Sequence, residues 1–305
     1  MSLADKVRKF IYSPGKVAKI RNKIKNMPYR CRCRRLVRQV KNAVPVYAVT
    51  TEKRAQKIIV SMTSYPPRFP YLGLCLKSLL LQSVKPDHII LWLDCRADEV
   101  TQEMRSYEQY GITIRFVEGD LKPHKKYFFA MQEFPDDIII TVDDDVIYPA
   151  DTIESLIKKH VEYPGCVCAR RVHKVTFTSD GTIRPYSEWI DKCRCIREPS
   201  FMLVPTGVGG VLYPPHCLDN RVFDISAITR HCLMADDIWL KAMELLKGTK
   251  VVWVPNTILT PPYTEGSQES SLYLSNVHEC RNDIYIKNML MLFGEELRKV
   301  PMSGE

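Results

Sequence analysis

The feature that most constrains this chain is an alternation of two hydrophobic periods between Lys57 and Val142. Short apolar runs at residues 58–62, 88–93, 112–117 and 138–142 have the length and β-branched content of buried strands. Between them, residues 72–82, 99–108 and 126–133 carry apolar positions at the spacing of amphipathic helices. Strands that alternate with helices predict a mostly parallel sheet with helices on both faces, because parallel neighbours need crossover connections. In such α/β sheets, ligands bind beyond the carboxyl ends of the strands. The run at 138–142 ends directly in Asp143, Asp144 and Asp145, so the pattern places three carboxylates at such an end.

The second half is less regular. A helix is predicted over 152–160, a strand over 167–170, a helix over 236–246, a strand over 250–254 and a last helix over 283–297. A glycine-rich segment, Thr206-Gly207-Val208-Gly209-Gly210-Val211, interrupts them. With 305 residues, 45 % of them apolar, the chain has the material for a substantial core. The reading divides it into a basic extension over 1–50, a catalytic domain over 51–262, and a segment over 263–305 that ends in a helix packed on that domain.

The net charge of +9 is unevenly placed. Residues 1–42 hold 14 Lys or Arg against one acid, Asp5, which leaves 30 basic and 34 acidic residues for the rest. Val7, Phe10 and Ile11, then Val17, Ile20 and Ile24, then Leu36, Val37 and Val40 recur at helical spacing among these cations. Pro14-Gly15 and Met27-Pro28 divide the pattern into three helical pieces. Such pieces suit docking on an anionic membrane surface, and a solvated tail is the other reading. No nucleic-acid recognition motif accompanies the charge, so nucleic acid is not an expected partner.

The cysteine count of 11 is odd and the chain shows no cleavable signal pattern, which predicts a reducing cytoplasmic setting. Cys31/Cys33, Cys166/Cys168 and Cys193/Cys195 lack the spacer of a zinc knuckle. No stretch reaches the roughly 20 apolar residues of a membrane span. A peripheral place on the inner face of the plasma membrane follows if the basic pieces dock there.

Three adjacent carboxylates at a strand end repel one another and are costly to desolvate unless a cation compensates them. Mg2+ or Mn2+ takes one or two carboxylates together with phosphate oxygens and water, so the triplet predicts a metal bridging protein and diphosphate. An exposed acidic turn is the plainer alternative.

With these residues in view, 138–146 resembles the strand and Asp-x-Asp motif of GT-A fold glycosyltransferases, particularly the inverting family 2 group. Val60-Ser61-Met62-Thr63-Ser64-Tyr65 resembles the first strand and nucleotide-contacting loop of that fold, and residues 74–84 the helix after it. The resemblance spans roughly 57–255. It departs from family 2 at Thr63-Ser64-Tyr65-Pro66-Pro67-Arg68, where Pro-x-Tyr-Asn is common, and it is similar to enzymes of bacterial capsule and surface-polysaccharide assembly.

The resemblance implies a nucleotide-diphosphate sugar donor, UDP-sugar foremost, and a glycan or lipid-linked glycan acceptor. It implies Asp143 and Asp145 as metal ligands with a late His278, Asp144 at ribose or metal-bound water, and Asp94 at the base. Thr63, Ser64, Lys125 or Lys126, Gly209 and Gly210 are implied beside the donor.

A second acidic pair, Asp236-Asp237, opens the predicted helix at 236–246. One acid is expected to cap that helix, Asp236 by position. By resemblance the other, Asp237 first and Asp236 next, is the base that deprotonates the acceptor hydroxyl. Trp239 and Trp253 are either a sugar platform or core. Arg170, Arg171, His173 and Lys174 are either a diphosphate contact or a solvated basic edge.

Two other functions compete with this one. Nucleotidyl or phosphoryl transfer also uses metal-binding acids at a sheet edge, and a non-catalytic scaffold on the membrane surface would use only the basic extension.

Overall fold

The computed structural model describes residues 27–267 and 281–300. The chain divides into two units, Met1–Ala43 and Val44–Glu305. The first is described through helix α1, Met27–Asn42, whose Pro28 sits in the first turn, where its missing N–H breaks no helical bond. The helix carries six cations, Arg30, Arg32, Arg34, Arg35, Arg38 and Lys41, and no acid, and within it only Leu36 and Val40 are buried. The expected pieces before it lie outside the described residues.

The second unit is an α/β structure around a seven-stranded sheet of order β3-β2-β1-β4-β8-β5-β9. Its parallel half is β1 (Ile58–Ser64), β2 (His88–Leu93), β3 (Ile112–Phe116) and β4 (Ile138–Thr141). These are the strands expected from the apolar runs, and their burial explains the runs. Val60 and Met62 pack with Leu72, Leu76 and Leu79 on one face. The alternate residue Ile59 packs with Trp92, Ala130 and Ile139 on the other. Helices α2 (Gly73–Leu80), α3 (Gln102–Ser106) and α4 (Lys125–Glu133) provide the crossovers.

The third expected strand ends one residue early, and the second expected helix is a single capped turn. Thr101 accepts the N–H of Met104, and Gly111, at φ 94°, turns the chain into β3.

After α5 (Thr152–Glu162), β5 (Val167–Ala169) pairs antiparallel with β8 (Val211–Tyr213) and parallel with β9 (Val251–Trp253). A two-stranded ribbon of β6 (Val172–Lys174) and β7 (Leu203–Pro205) lies between them in sequence. The helices that follow are α6 (Ile225–His231), α7 (Asp236–Lys247) and α8 (Arg281–Leu297). Asp224 caps α6 by accepting the N–H of Ala227.

The pairing of β8 positions the site. It runs antiparallel to β4 with Thr141 opposite Val211, so the glycine-rich turn that opens β8 stands beside the carboxyl end of β4. All ten described cysteines are free thiols, and no helix among the described residues is long and apolar enough to cross a membrane.

Candidate active site

The acidic triplet is built from the backbone outward. The Asp143 N–H donates to Tyr148 Oη at 2.7 Å, and the Asp143 carbonyl accepts from Tyr148 Oη at 3.3 Å and Cys75 Sγ at 3.4 Å. Next door, Asp145 O accepts the N–H of Thr264 at 2.7 Å, and Ile147 N–H donates to Pro262 O at 2.9 Å. Both neighbours of Asp144 are thus held through their main-chain atoms, Asp143 by the Tyr148 and Cys75 side chains and Asp145 by the backbone of Thr264.

Each carboxylate then meets a different partner. Asp144 is buried, and it accepts Ser64 Oγ at 2.6 Å. The register Ser61 to Thr141 between β1 and β4 carries forward to place Ser64 beside Asp144. Its other oxygen bonds Arg68 Nη1, which also meets Asp145 Oδ2 at 3.2 Å. Burial raises the Asp144 carboxyl, with Arg68 and the Ser64 hydroxyl opposing. Asp143, the most open of the three with its side chain 24 % exposed, pairs with Lys126 Nζ at 2.7 Å.

Lys126 joins the triplet to the second acidic pair. It is the second residue of α4, whose start is tied to β1 because the Lys126 carbonyl accepts Ser61 Oγ. Its Nζ lies 2.7 Å from Asp143 Oδ1 and 2.8 Å from Asp236 Oδ2. The second contact is off the hydrogen-bonding direction and is therefore an ion pair alone. Burial opposes the charge of Lys126, but Asp143, Asp236 and Asp237 outweigh it and hold its pKa well above the usual lysine value. In return, Asp236 is lowered: burial pushes it up, while Lys126 and then His124 more than compensate.

Asp237 goes the other way. Burial and then the Asp236 charge push its carboxyl well above the usual range, although the backbone N–H of Gly207 bonds to it. Two adjacent carboxyls thus have opposite tendencies: Asp236 is lowered against Lys126, and Asp237 is raised beside it. The expected helix cap is not formed. Ala235 occupies the cap position of α7, and both acids lie in the first turn, because the Asp236 carboxylate is turned to Lys126.

The other expected residues divide. Asp94 follows Leu93 at the end of β2, on the same sheet edge as the triplet. Thr63 donates its hydroxyl to Trp92 O at 2.8 Å, within the sheet. Lys125 pairs with Asp120 at 3.2 Å, so of the two lysines Lys126 is the one at the triplet.

Gly210, at φ 88°, abuts Thr152 and Leu156, and Gly209 abuts Arg170 and Arg171. It is Gly207 that touches the triplet. A Cβ there would lie 2.7 Å from Asp143 Oδ1 and 2.9 Å from Lys126 Nζ. His278 lies outside the described residues. Trp239 and Trp253 are core, donating to Val222 O and Arg170 O. Arg170 is buried against Asp151 and Ser155.

Arg68 and Gly207 carry contacts that the sequence reading did not assign. The signal for Arg68 was its place two residues into the turn after β1, where two prolines precede it. For Gly207 no local signal set it apart from Gly209 and Gly210.

Among the described residues, no three His, Cys, Asp or Glu side chains converge as a ready-made metal cage. A hard divalent ion such as Mg2+ does not require one, since one or two carboxylates and substrate phosphates suffice. The carboxyl groups of Asp143, Asp144, Asp145, Asp236 and Asp237 outnumber the two cations that meet them, the mostly buried Arg68 and the buried Lys126. This excess of acids is a donor set that suits such an ion.

Residues 58–201 match the model of Glycosyl transferase family 2. Among curated proteins none matches the sequence. In solved structures, the chain is similar to mannosyltransferase PcManGT from Pyrobaculum calidifontis in complex with GDP-Man and Mn2+. That match has 12 % identity and a TM-score of 0.49, and it covers 92 % of this chain and 77 % of that one. It is similar also to S. aureus TarS 1-349, at 14 % identity and a TM-score of 0.45, with 81 % and 72 % covered. A third is CMP:2-keto-3-deoxy-manno-octonic acid synthetase complexed with CTP, at 13 % identity and a TM-score of 0.42, with 73 % and 100 % covered. The segment that carries β1 to β4 and the acidic triplet is thus the part of the chain that matches the family 2 glycosyltransferases.

Proposed function

We propose that the enzyme moves a sugar from a nucleotide-diphosphate donor, UDP-sugar foremost, to a hydroxyl of a glycan or lipid-linked glycan in surface-polysaccharide synthesis. The observation that carries this reading is the bridge Asp143–Lys126–Asp236, which joins a diphosphate-facing triplet to a second acidic pair beside it.

On this reading, Mn2+ or Mg2+ is held by Asp143 and Asp145, and when bound it neutralises charge on the departing diphosphate. Asp144 and Asp94 face the nucleoside, with Ser64 and Gly207 beside the donor.

Asp237 accepts the proton of the acceptor hydroxyl as its oxygen bonds the anomeric carbon. The bond from that carbon to the diphosphate oxygen breaks on the opposite side, so the product is inverted. Lys126 keeps Asp236 ionised, and that charge helps make Asp237 a strong base. The cationic face of α1 supports a peripheral position on an anionic membrane.

The reading is tested by incubating the protein with a panel of nucleotide sugars, with and without Mn2+. Metal-dependent release of nucleoside diphosphate from at least one donor is expected, and no release across a broad panel contradicts it.

Gly207→Ala provides a local check. Its Cβ would press on Asp143 and Lys126, and Lys126 is pinned between two carboxylates. Turnover is expected to fall on the order of 100-fold through misplacement of these groups. Stability should fall by about 1–3 kcal/mol from overpacking. Steady-state assays beside denaturant titrations measure both, and unchanged turnover contradicts the assignment.

A further inference from the structure

Arg68 is the cation that the triplet already has. It lies in the 3-10 turn Pro66–Tyr71, directly after β1, where Pro66 and Pro67 restrict the backbone and the Arg68 N–H donates to Tyr65 O at 2.9 Å. Its side chain is 11 % exposed, and a single nitrogen, Nη1, serves both Asp144 Oδ1 and Asp145 Oδ2.

The guanidinium is well paired on one side and poorly on the other. Arg68 Nε is buried and has no hydrogen-bond partner. A buried unsatisfied donor costs free energy, so this position is held by charge and not by full hydrogen bonding. Asp144 does not depend on Arg68 alone, since Ser64 Oγ holds its second oxygen. The two ends of the Arg68 contact therefore differ: Asp144 keeps the Ser64 hydroxyl if the guanidinium leaves, and Asp145 Oδ2 gives up its contact with Nη1.

Asp145 is one of the two carboxylates assigned to the metal, and a guanidinium nitrogen lies 3.2 Å from its Oδ2. Two cations on one carboxylate oxygen also repel, strongly where water is excluded.

We infer that Arg68 is an internal competitor for the metal position, holding Asp145 in the free enzyme so that a divalent ion binds well only when the donor diphosphate arrives. The inference rests on the reading that Asp143 and Asp145 hold the ion. The diphosphate supplies both halves of the exchange: oxygens for the metal, and an anion with which the displaced guanidinium can form a bidentate pair. Binding of metal and donor is then coupled, and the free protein is kept from loading metal unproductively.

The test is Mn2+ affinity measured by electron paramagnetic resonance on the whole chain, with Mn2+ alone and with UDP or GDP added. The variants are Arg68→Met, Arg68→Lys and Asp145→Asn, each first shown to be folded by circular dichroism. Arg68→Met is expected to bind Mn2+ alone roughly tenfold tighter or more, since a neighbouring charge has been removed. The gain in Mn2+ affinity produced by nucleotide should shrink by a similar factor. Arg68→Lys, which keeps a charge without the planar fork, should fall between, and it serves alone if the Met variant does not fold.

Unchanged or weaker Mn2+ binding by the Arg68 variants, with loss of binding in Asp145→Asn, overturns the competition and leaves the metal reading standing. Absence of Mn2+ binding in every form, with nucleotide present, overturns the metal reading and the competition together.

Discussion

Lys126→Met is expected to destabilise the fold by about 3–5 kcal/mol, because removing one partner of a buried ion pair leaves the other uncompensated. Here two carboxylates lose their counter-ion at once. Asp236 is buried and Asp143 is 24 % exposed, and their contacts with Nζ are 2.8 and 2.7 Å. Methionine keeps the apolar stem in place, so the change isolates the charge from the packing. Without Lys126, Asp236 loses the largest influence holding it ionised, and its pKa rises.

Turnover should fall on the order of 100-fold even where the variant is fully folded, because the triplet and the base pair are no longer held at one distance. Chemical denaturation gives the first quantity and steady-state assays below the unfolding range give the second. A variant with wild-type stability and turnover would show that the bridge is incidental.

Asp237→Asn has the second large effect, and its character differs. Loss of a positioned general base typically lowers turnover by roughly 10²- to 10⁴-fold. Asparagine retains the shape and can still accept the N–H of Gly207, so stability should not fall as it does for Lys126→Met.

The pH dependence follows from the raised pKa of Asp237. A base must be deprotonated, so kcat/KM of the wild type should rise with pH through a limb well above the usual aspartate value of about 4. Asp237→Asn should lack that limb. Stability carries the opposite sign. The folded state binds this proton more tightly than the unfolded chain, so stability falls as pH climbs from the ordinary value, 3.8, through the raised one. Asparagine removes that fall. Asp236, with a lowered pKa, contributes stability that is present above its unfolded value and lost as pH drops through the folded one.

The parallel half of the sheet was legible in the sequence because β1, β2 and β4 are buried on both faces, and β3, half-exposed at the sheet edge, still keeps an apolar run. Ile58, Ile59 and Val60 cannot be read as half-exposed, and the apolar runs on either side repeat the pattern. The triplet was legible because nothing local explains three acids after such a strand.

What stayed hidden depends on contacts between residues far apart in the chain. The pairing of Arg68 with Asp144 spans 76 positions, and no periodicity announces it. The same applies to Lys126 and Asp236: sequence offered two adjacent lysines, and only the orientation of α4 turns one to the triplet and the other to Asp120. Gly207, Gly209 and Gly210 look alike in composition, yet the register of β8 against β4 sets only the first against Asp143. β6 and β7 are three residues each, too short to display a period.

The central claim is that the triplet serves the donor while Asp237 serves the acceptor, in one site joined by Lys126. Calorimetry tests it most directly. The nucleoside diphosphate selected in the donor screen is titrated with Mn2+ into the wild type, Asp145→Asn and Asp237→Asn, with turnover measured on the same samples. The account predicts that Asp145→Asn loses nucleotide binding and turnover together, whereas Asp237→Asn binds nucleotide within about twofold of the wild type and loses turnover alone. Equal loss of nucleotide binding in both variants, or full turnover in either, would contradict it.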